Sequence, residues 1–97
     1  MGASKANHFP QDLKDLSLTA RALAHPARVS IVNELKQSST MRSVDFAISL
    51  KLHPSTIHKH LQMLKQANLI EMEYAVHHYT IRLINENLED LQSFLKN

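Results

Sequence analysis

The chain of 97 residues has no cysteine, which removes disulfides, thiolate metal ligands and thiol redox sensing from consideration. Its single glycine is Gly2, the position of a myristoyl acceptor, but that motif needs Ser or Thr where this chain has Ala6. The start, MGASKANHFPQDL, lacks the apolar run of a signal peptide. No later stretch approaches the roughly 20 apolar residues of a bilayer crossing, so a cytoplasmic protein without a membrane partner is expected. What is present is ordinary for a globular domain: 43% apolar and 21% charged residues. The length fits one domain over 1–97, with 1–10 flexible, and is short enough that dimerisation commonly completes the buried surface.

A formal net charge of +2 says little by itself; its distribution says more. From Asp45 to Glu71 the chain carries Lys51, Lys59 and Lys65 with no intervening acid, whereas the tail from Glu86 sets Glu86, Glu89 and Asp90 against Lys96. Positive charge thus concentrates around HPSTIHKHLQMLKQANLI, residues 53–70, which also holds three of the seven histidines.

Periodicity supplies the elements. Leu13, Leu16, Ala20 and Leu23 recur at three- and four-residue steps and predict a helix over 12–23. Pro26 suits the first turn of a second helix, where its missing N–H would be unbonded anyway, with Ile31, Val32 and Leu35 on one face and QSST closing it. A short third helix is expected over 43–50, with Val44, Ala47, Ile48 and Leu50 available to the core. Pro54 opens a fourth, burying Ile57, Leu61 and Leu64 and stopping before Asn68, a residue that tolerates the left-handed conformation. After Asn68 the period becomes two, predicting a β-hairpin with its tip near 75–78 and His77 and His78 on opposite faces. Leu88, Leu91, Phe94 and Leu95 mark a last amphipathic helix.

This order, α-α-α-α-β-β-α, is a mainly helical chain with a small β-hairpin, the layout of a winged helix-turn-helix whose second motif helix enters the DNA major groove. At about 100° per residue, Ser55, Lys59, Gln62 and Gln66 fall opposite the Ile57, Leu61 and Leu64 stripe, with Thr56 and His58 on the flanks. These side chains suit base edges and phosphates, and the helix start is expected to offer free N–H groups as well. The competing reading is a plain solvated face, which the surrounding motif disfavours. A metal site fits poorly: His58 and His60 lie about 200° apart on the helix and cannot share an ion. His60 borders the buried arc and reads as a packed histidine; His58 faces outward, either touching DNA or idle. His77 is the wing residue expected to approach DNA, with Arg82 behind it.

RALAHPARVSIVNEL and AISLKLHPSTIHKHLQMLKQANLI, followed by the hairpin YAVHHYTIRL, resemble the ArsR-type (ArsR/SmtB) family of bacterial transcriptional repressors from about residue 16 to 83. The resemblance implies a homodimer on a palindromic operator, released in many members by a metal or other effector. The metal-binding members place cysteines at the start of the third helix, where this chain has Arg42 and Val44, and the second family metal site needs a last-helix histidine that is missing here. No metal or cofactor is therefore expected, and the effector stays unnamed. Ser55, Thr56, His58 and Lys59 match the family's recognition stretch, and His60 matches its histidine. Arg42 becomes a candidate phosphate contact, Arg28 a structural or phosphate-proximal residue. Lys51 replaces the turn glycine, and Glu71 and Glu73 make the wing unusually acidic.

The leading expectation is a dimeric repressor binding operator double-stranded DNA through Arg42, Ser55, Thr56, His58, Lys59, Gln62 and His77. Leu13, Leu16 and Ala20 on the first helix and Leu88, Leu91 and Leu95 on the last exceed what one chain needs internally, so they are expected to pair across a twofold axis. The alternative, prompted by the acidic wing, is a winged-helix protein-interaction module without DNA binding. An enzyme is not expected, there being no cysteine nucleophile, phosphate loop or acid–base pair in a pocket.

Overall fold

Apolar spacing along the chain becomes five helices and three short strands in a computed structural model, which describes residues 8–97. Helix α1 spans Gln11–Ala22, α2 Pro26–Ser38, α3 Ser43–Leu50, α4 Pro54–Gln66 and α5 Glu86–Lys96. The strands are β1 Thr40–Arg42, β2 Ile70–Ala75 and β3 His78–Leu83, joined as an antiparallel sheet in the order β1-β3-β2. Of the segment expected to be flexible, residues 1–7 lie outside the described residues, and His8, Phe9 and Pro10 are exposed ahead of α1.

The core lies between α2, α3 and α4 and the inner face of the sheet. Ile31 and Leu35 from α2, Phe46 from α3, Ile57, Leu61 and Leu64 from α4, and Ile81 from β3 are all buried there. Truncating any of these larger side chains to alanine leaves a cavity worth about 2–5 kcal/mol. The stripe expected for α4 is thus the buried one, and its other face stays outside.

Four details depart from the sequence reading. A three-residue strand, β1, pairs Thr40–Arg42 with Arg82–Thr80 and ties the start of α3 to the wing. On α3 the core residue is Phe46, whereas Ile48 is 70% exposed and Val44 is also outside. These two lie on the side opposite Phe46 and Leu50, because a helix apolar on all sides hides the choice of face. On α1 the buried residues are Thr19 and Ala22. Thr19 can enter the core because its hydroxyl donates to the Asp15 carbonyl at 3.1 Å. The hairpin closes on the two residues Val76 and His77, and only His77 (φ 63°) has positive φ, as in a type II turn. His77 therefore sits in the turn, outside the strand alternation that had placed it opposite His78.

Helix ends follow local chemistry. The α4 C-terminus is a Schellman motif, with Leu69 N–H donating to the Leu64 carbonyl and Asn68 N–H to that of Lys65. Asn68 takes the left-handed conformation expected of it (φ 58°). Lys51, in the place of the turn glycine, is also left-handed (φ 56°, ψ 44°). Helices α1 and α5 pack against each other as a second layer beside the core. The Asn87 amide donates to the Ala67 carbonyl at 3.1 Å, joining α5 to the end of α4.

Candidate nucleic-acid interface

Helix α4 turns a hydrogen-bonding face outward. Ser55, His58 and Lys59 are exposed, and Thr56 and Gln62 half-buried, opposite the stripe that holds the helix to the core. His58 and Gln62, one turn apart, pair their side chains at 3.3 Å. The His58 ring also approaches Tyr79 of β3 with centroids 5.8 Å apart, and Tyr79 meets Tyr74 of β2 edge-on at 5.1 Å. These ring contacts set α4 against the β2–β3 hairpin. No sequence signal paired Tyr79 with His58.

The start of α4 differs from the expectation of free N–H groups. Pro54 has none, the Ser55 N–H is taken by His53 Nδ1 at 3.1 Å, and the Thr56 and Ile57 N–H groups reach the His53 carbonyl. His25 caps α2 in the same way, its Nδ1 accepting from the Ala27 N–H at 3.0 Å. The two His-Pro pairs are therefore helix caps, in which imidazole does the work usual for Ser or Asp. With those donors satisfied, the start of α4 has no free backbone N–H to offer an anion.

Arg42 flanks this face at the start of α3, with its guanidinium engaged by Asp45 (Nη2 to Oδ1, 3.0 Å). Asp45 also accepts from the Arg42 backbone N–H at 3.0 Å, closing a capping box. These Arg42 contacts hold the Asp45 carboxyl below its ordinary pKa. Arg82 is paired with Glu71 at 2.8 Å on the exposed face of the sheet, beside Glu73. Arg28, whose role the sequence left open, is half-buried with its Nε and Nη1 enclosed and without a hydrogen-bond partner among the described residues.

His77 stands exposed at the wing tip. Where β3 continues past the end of β1, His77 and His78 both line a cleft of about 300 Å³ with Ser43, Val44, Pro54 and His58. His78 was not among the residues anticipated here. Its Nδ1 bonds the Val76 carbonyl at 2.8 Å, which turns the ring at the strand's end. Among the described residues no group of three or more histidines or acids is placed to hold a metal ion. Arg42 and Val44, where the metal-binding members have cysteines, provide no metal donor.

Residues 25–72, which contain α2, β1, α3, α4 and the start of β2, match the family model of the bacterial regulatory proteins of the arsR family. This chain carries an arsR-family helix-turn-helix domain. Solved structures agree on the fold around it. An ArsR-like transcriptional regulator from Rhodococcus sp. RHA1 superimposes with a TM-score of 0.77 at 22% identity, over 90% of this chain and 81% of that one. The transcriptional repressor PagR of Bacillus anthracis gives 0.71 at 25% identity, over 88% and 97%. HlyU from Vibrio cholerae gives 0.76 at 16%, over 90% and 94%. No curated protein matches the sequence. The arsR-family match identifies a DNA-binding regulator of transcription rather than an enzyme, and the winged helix-turn-helix is the fold of these neighbours. Among the described residues no helix is long and apolar enough to cross a membrane.

Proposed function

We propose that the chain is a homodimeric repressor that binds operator double-stranded DNA. The observation that carries this is the outer face of α4, where Ser55, Thr56, His58, Lys59 and Gln62 stand opposite a fully buried stripe on an arsR-family helix. Lys59 meets a phosphate, Ser55, Thr56 and Gln62 are the side chains for base edges, and His58 reaches a phosphate or a base. Arg42 and His77 flank them on the backbone; Arg42 does so with the donors that Asp45 leaves unused. Repression is supported by the likeness to PagR, a repressor. Dimerisation is supported by the apolar side chains that α1 and α5 leave outside, Leu95 at 71% exposure among them.

The test is a gel-shift titration against the DNA upstream of the chain's own coding region, with nonspecific competitor at two salt concentrations. A two-protomer complex that survives competitor and weakens steeply with salt is expected. A folded protein that retards neither this fragment nor any member of a genomic fragment library would instead favour the protein-interaction reading. The exposed Glu71 and Glu73 on the wing are the observation behind that second reading.

A further inference from the structure

The wing tip has no lysine or arginine: residues 75–78 are Ala, Val, His and His. Any positive charge there is imidazole charge, and imidazole changes protonation between about pH 5 and 8. Across the cleft stands His58, on the outer face of the recognition helix. Building on the DNA-binding reading, we infer that this cleft is a proton-linked phosphate seat, in which His58, His77 and His78 take up protons as the DNA backbone enters, so that mild acid tightens the complex.

The hydrogen bonding leaves room for those protons. His78 uses Nδ1 on the Val76 carbonyl, so Nε2 is free to accept one. His58 Nε2 accepts from the Gln62 amide N–H, so Nδ1 carries the neutral ring's hydrogen, and a second proton at Nε2 is accommodated when the Gln62 amide flips its oxygen toward the ring. His77 is exposed in the turn. His53 is excluded from the set, since a proton on its Nδ1 would break the α4 cap.

The charges on the elements around the cleft balance in number. Helix α3 brings Asp45, which feels His78 but is already paired with Arg42. Glu73 lies on the sheet face that His78 shares, two residues along the ladder. Against these stand Lys59, beside His58 on α4, and the Arg42 guanidinium; Tyr79 under His58 is an uncharged ring. A duplex adds about one negative charge per 1.7 Å of its axis, and that field favours the imidazolium forms. Each linked proton raises affinity by up to about tenfold per pH unit.

Phosphate attraction is independent of base sequence, so the probe is a fluorescent mixed-sequence duplex of about three helical turns. Its affinity is read by anisotropy at low salt, at about pH 8 and about pH 6, with circular dichroism confirming the fold at both. Wild type is expected to bind at least about tenfold tighter at the lower pH, with a steeper salt slope. The triple variant His58→Gln, His77→Gln, His78→Gln is expected to bind more weakly than wild type already at about pH 8, since it lacks two proposed DNA contacts, and to lose most of the further gain at about pH 6. Binding with no pH dependence, or an undiminished gain in the variant, overturns the proton linkage while leaving DNA binding intact. No binding by folded wild-type protein at either pH overturns both.

Discussion

Lys51 occupies a left-handed backbone position at the end of α3. A residue with a Cβ pays about 1–2 kcal/mol there, whereas glycine does not, though glycine loses more chain entropy on folding. Lys51→Gly should therefore stabilise the domain by about 0.5–1 kcal/mol, raising the unfolding midpoint by several degrees. A calorimetric midpoint that stays put or falls would show that the lysine side chain offsets its own backbone cost. Both left-handed helix ends could be anticipated, Asn68 from residue preference and Lys51 from the family's glycine. The imidazole caps could not: His-Pro marks a helix start, but nothing in that pair says whether the ring folds back. Lys59 makes the second prediction at this scale. It is exposed on α4 and joins no ion pair among the described residues, so Lys59→Ala should weaken DNA binding and reduce the salt slope by about one. An unchanged slope removes Lys59 from the phosphate contacts.

Between elements, the contact of α2 with α4 makes the seat of the recognition helix sensitive to acid. The His60 ring on α4 lies 4.3 Å from that of His25, the α2 cap, tilted by 50°. Burial lowers the His60 pKa below its ordinary value of 6.5, and the charges of His25 and Arg28 push in the same direction. A base with a lowered folded-state pKa binds its proton less readily folded than unfolded. Its stabilisation is complete above about pH 6.5 and declines as the pH falls below that. His60→Gln should therefore flatten the loss of thermal stability between about pH 7 and about pH 5, and an acid loss as large as in wild type would rule out His60 as its source. The packed role of His60 was legible because it bordered a strongly periodic stripe, and α4 divided into buried and outer faces as that stripe implied. Its partner was not legible, since His25 is distant in sequence and only the fold joins them. Helix α3 shows the complementary limit: in eight residues with Val44, Phe46, Ala47, Ile48 and Leu50 apolar, periodicity cannot choose a face. Strand β1, three residues long with Met41 alone half-buried, is too short to show a period at all.

For the whole molecule, the decisive question is what covers the outer layer formed by α1 and α5. The two helices pack on each other within one chain, yet α5 has no fully buried residue. Phe94 is 57% and Leu95 71% exposed, and Leu13 and Ala20 also remain outside on α1. Leu16, Leu88 and Leu91 are half-buried between these extremes. A second copy is the occupant that suits both the chemistry and the proposed function, because twofold pairing would hold two α4 helices for successive major grooves about 34 Å apart. An isologous contact repeats every substitution on both sides of the axis. The pair Leu13→Asp and Leu95→Asp should consequently bury unpaired charge twice over and yield a folded monomer. Sedimentation at micromolar concentration should give twice the chain mass for wild type and once for the variant, with matching circular dichroism. Operator affinity should fall steeply in the variant, while weak binding to nonspecific duplex persists because α4 and the wing tip are untouched. A monomeric wild type, or a variant that remains a dimer, would place the twofold contact elsewhere or remove it. Equal operator affinity in monomer and dimer would mean that one winged helix reads the site alone.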